Sequence, residues 1–157
     1  MRPNLNKAAN KFKEVNISVE KVGKFIGGKV NYNINTLTKA EGRFENACAI
    51  RMSYVLNKTG VKIPYISGQT VSGKNGSWYI YKVKTLVKFL KKKFGAPDHI
   101  IKNPTLLKLS KLKGIIIFEV EQWVDASGHA TIWDGAKCSD KCYFKESKKA
   151  YIWELKN

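Results

Sequence analysis

Cys48 stands where a helix should begin. In Asn46-Ala47-Cys48-Ala49-Ile50-Arg51-Met52-Ser53, Asn46 is a natural N-cap, whose side-chain oxygen can accept from the unpaired N–H groups of a first turn. A cysteine there lies at the positive end of the helix dipole, which favours the thiolate, and the thiolate is the nucleophilic form. The plain alternative is a small buried hydrophobe, the usual role of a free cysteine. Chemistry at this sulfur needs a base, and the chain offers two histidines. His129 lies in Ser127-Gly128-His129-Ala130-Thr131-Ile132-Trp133-Asp134-Gly135, where His129, Thr131 and Trp133 alternate with Ala130, Ile132 and Asp134. Period two closed by glycine is a strand signature, so His129 should open a strand, its ring held near the sheet end. His99, in Pro97-Asp98-His99-Ile100, has no cysteine or glycine motif around it and reads as a surface or turn histidine. A cysteine at a helix start and a histidine on a later strand form the footprint of a papain-like thiol hydrolase.

The elements that must bring the two together follow from periodicity. Residues 5–13 and 18–26 carry weak helical patterns, the second closed by Gly27-Gly28, and the polar stretch 29–43 reads as loop. A helix over 47–58 places Cys48, Met52, Val55, Leu56 and Thr59 on one face, with Gly60 as its stop. Residues 61–76 form a long loop that could wall a groove. Val83, Leu86, Val87, Leu90 and Phe94 recur at helical spacing until Gly95 and Pro97. Strands are predicted at 98–102, 114–123, 129–134 and 149–155. A helix packed on an antiparallel sheet is an α+β architecture.

The residues around Cys48, followed by Leu56-Asn57 and Gly60, resemble the nucleophile segment of the type VI secretion amidase effectors, fourth group. The similarity continues through Ser77-Trp78-Tyr79-Ile80, Phe89-Leu90 to Phe94-Gly95-Ala96-Pro97, Gly128 to Gly135, and Tyr151-Ile152-Trp153-Glu154-Leu155. The blocks keep the family's order from about residue 44 onward, and residues 1–43 match less clearly. The resemblance implies one papain-like (NlpC-type) amidase domain over 1–157, made in the bacterial cytoplasm, exported by the type VI apparatus and acting in the periplasm of a target cell. The implied substrate is the γ-D-glutamyl-meso-diaminopimelate bond of peptidoglycan stem peptides, and the implied protein partner is an acidic cognate immunity protein.

Cys138 and Cys142 are close enough in sequence to be bridged, which would contribute only about 2 kcal/mol by chain entropy. Reduced thiols are the cytosolic alternative, and two cysteines without a second pair rarely fill a zinc shell. The resemblance implies a bridged loop that carries the acid of the triad, hence Asp140, which lies inside the loop, as the group that orients His129. Asp134 is the other candidate, although strand alternation points it to the opposite face. In this scheme Cys48 attacks a stem-peptide amide, His129 moves the proton, the Cys48 backbone N–H serves the oxyanion, and no cofactor or metal takes part. Trp78, Trp133 and Arg51 are candidates for the groove wall, with core burial the competing role for both tryptophans.

Length and composition fit a folded globular chain: 157 residues, 43% hydrophobic. Ile115-Ile116-Ile117-Phe118 is far too short to span a bilayer, so no membrane insertion is expected, and Met1-Arg2-Pro3-Asn4-Leu5-Asn6-Lys7 lacks the apolar segment of a secretory signal. The net charge is +17. Lys82, Lys84, Lys88, Lys91, Lys92, Lys93, Lys102, Lys108, Lys111 and Lys113 share one stretch with a single acid, Asp98. A solvated helix face explains their spacing but not the imbalance of sign, which draws a protein towards polyanions. Envelope polymers and an acidic partner fit better than nucleic acid, since no nucleic-acid fold signature is present. A basic nucleic-acid-targeting toxin and a non-catalytic cell-wall-binding module are the rival functions.

Overall fold

A computed structural model describes residues 1–120 and 128–157. Helix α1 (Leu5–Val15) starts at Asn4, whose side chain accepts from Lys7 N, and buries Leu5, Ala8, Phe12 and Val15. Helix α2 (Val19–Ile26) starts at Ser18 and stops at Gly27. The stretch read as loop instead winds through α3 (Gly28–Asn31), a π-turn at Tyr32–Thr36 and a 3-10 turn at Lys39–Glu41. Its polar composition hides two buried anchors, Val30 and Ile34, and a reciprocal Thr38–Glu41 capping box.

Helix α4 (Cys48–Lys58) is buried at every position from Cys48 to Leu56 except Arg51. Cys48, Ala49, Met52, Val55 and Leu56 pack into one core with α1 residues, while Ile50 and Tyr54 enter a second with Val22, Ile26 and Ile34. The helix therefore fills the space between two layers of side chains, which its moderate amphipathicity alone does not announce. Gly60, at φ +95°, follows the last turn, and Val61 N donates to Leu56 O at 2.9 Å. The loop expected over 61–76 contains a strand, β1 (Thr70–Ser72), which pairs with β2 (Trp78–Ile80). Three-residue strands carry too few alternations to be read from periodicity. Helix α5 (Val83–Phe94) lies as expected, with Val83, Leu86, Phe89 and Leu90 inward.

The main sheet comprises β3 (His99–Lys102), β4 (Gly114–Glu119), β5 (Gly128–Trp133) and β6 (Lys149–Glu154), all antiparallel in the order β3-β6-β4-β5. A short helix, α6 (Leu106–Leu109), capped by Thr105, precedes β4. The strand expected over 114–123 pairs over Gly114–Glu119; residues 121–123 lie outside the described residues. One sheet face presents Ile115, Ile117, Ala130 and Ile132 to α4 and α5, and the other buries Ile116, Phe118 and Trp133 against Leu109 and Cys138. The architecture is α+β with antiparallel sheets.

The N-terminal residues are tied to the end of the chain. Arg2 pairs with Asp98 and donates to the carbonyls of Glu154 and Phe94, and Leu5 N donates to Lys156 O at 2.9 Å. Tyr54 O–H donates to Glu14 at 2.6 Å, fastening α1 to α4.

At Gly114 the backbone has φ +152°, and a Cβ there would meet Trp153 O at 2.1 Å and Glu154 Cα at 2.9 Å. Gly114→Ala should prise β4 from β6 and lower the unfolding free energy by about 2 kcal/mol or more, a loss read directly from urea denaturation.

Candidate active site

Strand β5 is an edge of the main sheet, and the site is assembled around it. Its alternation sends Ala130 and Ile132 towards α4 and leaves His129, Thr131 and Trp133 on the other face. His129 is the second residue of the strand, one place in from the expected first position. The N-terminus of α4 reaches the start of the same strand: the Cys48 thiol donates to Gly128 O at 3.8 Å, and its sulfur is near enough to the His129 ring to raise the imidazole pKa. Both side chains are buried, with 3% of Cys48 and 7% of His129 exposed.

The outer edge of β5 is met by the segment that follows it. Trp133 forms an antiparallel bridge with Cys138, and Ser139 N donates to Ile132 O at 2.8 Å. Continuing that register sets Asp140 opposite Thr131 on the His129 face. Asp140 Oδ2 accordingly stands 2.8 Å from His129 Nε2, close enough for an ion pair although off the line of the ring N–H. Cys138 and Cys142 are joined as a disulfide with Cα atoms 5.5 Å apart, so Asp140 rides on a closed loop.

Burial works against the imidazolium of His129. The Asp140 carboxylate on one side and the Cys48 sulfur on the other outweigh it and raise the pKa to about 9. Burial likewise works to raise the pKa of Asp140, but His129 and the Thr131 hydroxyl bring it below the usual carboxylate value. Thr131 has no exposed surface. Its Oγ1, Asp140 Oδ1 and His129 Nε2 are all sealed from solvent with no well-aligned hydrogen bond to other described groups.

Several sequence expectations change here. Asn46 is not the N-cap: Ala47 occupies that position, and Asn46 Oδ1 instead accepts from Cys48 N at 2.8 Å. Asp134 accepts from Ala136 N and Lys137 N, both at 2.8 Å, and serves the turn after β5. Trp133 does not line a groove; it is fully buried and its indole N–H donates to Leu109 O at 3.0 Å. Arg51 spends its guanidinium on Val15 O and Ile17 O at 3.0 and 2.8 Å, holding the turn between α1 and α2. Trp78 is half-buried and packs on Tyr65, with ring centroids 4.8 Å apart. His99 opens β3 at the surface, 3.5 Å from Glu154.

Thr131 and Tyr143 were not foreseen. The Tyr143 ring lies edge-on to His129 at 4.7 Å between centroids. The alternation of β5 already set Thr131 on the same face as His129, and that signal could have found it; nothing local marks Tyr143. Among the described residues no group of three or more His, Cys, Asp or Glu could hold a metal ion, and no helix is long and apolar enough to cross a membrane.

A buried thiol, imidazole and carboxylate in series define a site suited to acyl chemistry at sulfur, carried on an α+β scaffold. The family described as "Type VI secretion system (T6SS), amidase effector protein 4" (Tae4) matches residues 44–153, and the chain belongs to that family. The Tae4 of the type VI effector-immunity complex Tae4-Tai4 from Enterobacter cloacae is 43% identical, with a TM-score of 0.90 over 99% of this chain and 100% of that one. The effector Tae4 from Salmonella typhimurium, solved with the immunity protein Tai4 from Enterobacter cloacae, is 39% identical, with a TM-score of 0.89 over 98% and 99%. Tae4 of the Salmonella Typhimurium Tae4-Tai4 complex is 40% identical, with a TM-score of 0.88 over 99% of each chain. A comparison with curated protein sequences gives no match.

The paired charges link stability to pH. His129 has a folded pKa of about 9, above its ordinary 6.5, so its contribution is complete below about pH 6.5 and is lost as pH rises through 9. Asp140, lowered in the folded state, contributes above its ordinary pKa and loses that contribution as pH falls through its folded value. The stability difference between the wild type and His129→Ala should therefore be largest between about pH 4 and 6.5 and shrink towards pH 9.5. Urea denaturation of both proteins across that range checks it; a constant difference would refute the ion pair.

Proposed function

We propose that this amidase effector is a cysteine peptidoglycan amidase of papain-like (NlpC-type) architecture, working as one domain over the whole chain. The observation that carries the reading is the Cys48 thiol, at the start of α4 and on the carbonyl of Gly128, beside a His129 ring that stands 2.8 Å from Asp140. The Cys48 thiolate attacks the carbonyl carbon of a stem-peptide amide, with His129 as the imidazolium. The imidazolium then protonates the leaving amine as the C–N bond breaks, leaving a thioester. The ring, now neutral, takes a proton from water, whose oxygen displaces the sulfur to give a carboxylate product. Such proton transfer by a positioned histidine accounts for about two to four orders of magnitude in rate. Asp140 fixes the ring and stabilises the imidazolium, while Thr131 holds Asp140.

The oxyanion would accept from the N–H of Cys48. That N–H is donated to Asn46 Oδ1 in the free protein, so the Asn46 side chain has to share or release it when substrate binds. The bond cut is the γ-D-glutamyl-meso-diaminopimelate link, a choice supported by family membership and not by any distance in the site. The same membership supports export by the type VI system, action in the periplasm of the target cell and inhibition by an acidic cognate immunity protein. The effector-immunity complexes of the relatives and the +17 charge of this chain support that last point.

Digestion of purified peptidoglycan followed by mass analysis of the fragments tests the reading. Wild type should release fragments with a new amino terminus at diaminopimelate, and Cys48→Ala should lower that release by about three orders of magnitude or more. Toxicity that survives Cys48→Ala would instead favour a nucleic-acid-targeting toxin, and sacculus binding without new amines would favour a wall-binding module. Thr131→Val keeps the volume but removes the hydroxyl beside Asp140, and should lower kcat about tenfold, in line with the loss of one buried polar group that favours the carboxylate. Thr131→Ser should restore most of it, whereas a packing role would leave Thr131→Ser the worse variant.

A further inference from the structure

The chemistry at Cys48 uses none of the lysines concentrated between residues 82 and 113. Three of them, Lys88, Lys92 and Lys93 on α5, together with Lys62 from the segment after α4, surround one concavity of about 740 Å³. No carboxylate is among its lining residues, and among the described residues none of the four lysines forms an ion pair. Lys88 and Lys92 sit four places apart on one helix, where like charges repel and destabilise. Nothing in the packing of α5 requires them to converge, because its apolar stripe is already satisfied inside.

An aromatic platform completes the wall. Tyr65 has 60% of its surface exposed, yet its ring is braced by Trp78 at 4.8 Å, and Trp78 O in turn accepts from the Asn57 amide of α4 at 2.9 Å. Asn57 Oδ1 accepts from Ile63 N at 2.8 Å, so the same side chain fixes the strip that carries Lys62 and Tyr65. A braced, exposed ring among cations suits a ligand with an apolar face and several anionic groups. The concavity is of the size that holds a small-molecule or oligomeric segment. Its lining residues Lys62, Pro64, Tyr65 and Ile66 follow the C-terminal end of α4 in the chain, whereas Cys48 opens that helix, which is about 15 Å long.

We propose that this groove is a second binding site for the substrate polymer, which takes the free carboxylates of peptidoglycan stems other than the one being cut. The proposal rests on the amidase reading above. Carboxylates of a neighbouring stem sit among Lys62, Lys88, Lys92 and Lys93, and a sugar or apolar side-chain face lies on Tyr65. Held there, the enzyme stays on the insoluble wall between turnovers, and the benefit disappears on a small soluble fragment that cannot reach both places.

The test uses the full chain in two backgrounds. In the Cys48→Ala background, co-sedimentation with purified sacculi should weaken about tenfold in Lys88→Glu/Lys92→Glu and several-fold in Tyr65→Ala. Lys21→Glu/Lys24→Glu on exposed α2, with the same change of net charge, should stay within twofold. In the active background, Lys88→Glu/Lys92→Glu should lose turnover on sacculi by a similar factor and keep it on a soluble single-stem muropeptide. Equal loss in both double variants would reduce the effect to net charge and overturn the proposal. So would unchanged sacculus binding, including the case in which only binding to an acidic protein partner suffers. Equal loss on the soluble fragment would place the lysines at the reaction centre and overturn it too. If the parent enzyme cleaves neither substrate, the amidase reading fails, while the co-sedimentation arm still judges the groove.

Discussion

His129 carries its ring between a sulfur and a carboxylate in a place that water barely reaches, and the fold is arranged to make that position tenable. An imidazolium buried alone would give up its proton. Here the burial penalty is outweighed by the Asp140 carboxylate on one side and the Cys48 sulfur on the other. Each is delivered by a different kind of backbone: Cys48 by the first turn of a helix sealed between two cores, Asp140 by a loop laid along a strand edge. The sheet supplies the rigid middle. Gly128 is part of that rigidity, since a side chain there would meet Phe118 O at 2.3 Å, and the close approach of β4 and β5 aligns the residue next to it.

The sequence was legible where periodicity and end signals were long enough to count. The helix at Cys48, the helix over Val83–Phe94 and the strand carrying His129 follow from such patterns, and they contain two members of the site. Asp140 came from the resemblance, because alternation along β5 is silent about what lies across its edge. The same silence hid the contact that Thr131 makes. For Trp133, a groove wall and core burial are both open in the sequence; its indole finds Leu109 O inside the core, a pairing that joins residues 24 positions apart. The strands Thr70–Ser72 and Trp78–Ile80 and the four-residue helix before β4 are set by tertiary pairing and a single cap, not by pattern. Asn46 does accept at the helix start, but from one residue further out than an N-cap.

Residues 1–43 match the family less clearly in sequence than the rest, yet they are bound into the fold by specific contacts. Arg2 reaches the last strand, Glu14 holds Tyr54, and Arg51 from α4 holds the carbonyls at the turn between α1 and α2. Side-chain contacts of this sort preserve a fold while leaving most surface positions free to drift, which fits full-length similarity to relatives at about two-fifths identity. The disulfide belongs to the same logic. It closes a loop too short to add much stability, in a bond that persists only in oxidising surroundings, so its main effect is to fix where one carboxylate sits.

The bridged segment has a second duty that its chemistry conceals. The outer side of β5 would otherwise leave a row of main-chain donors and acceptors open to any passing chain; Ser139 N–H donates to Ile132 O and Lys137 O accepts from Asp134 N, at and just beyond the strand's end. The opposite border of the sheet is guarded differently, by a strand of only four residues that ends in an exposed lysine. Slackening the cystine loop thus frees a template for self-association at the same moment that it releases the acid. The closed edge of the sheet and the seat of Asp140 beside His129 are joined in this molecule through a handful of shared atoms, and neither can drift far without the other.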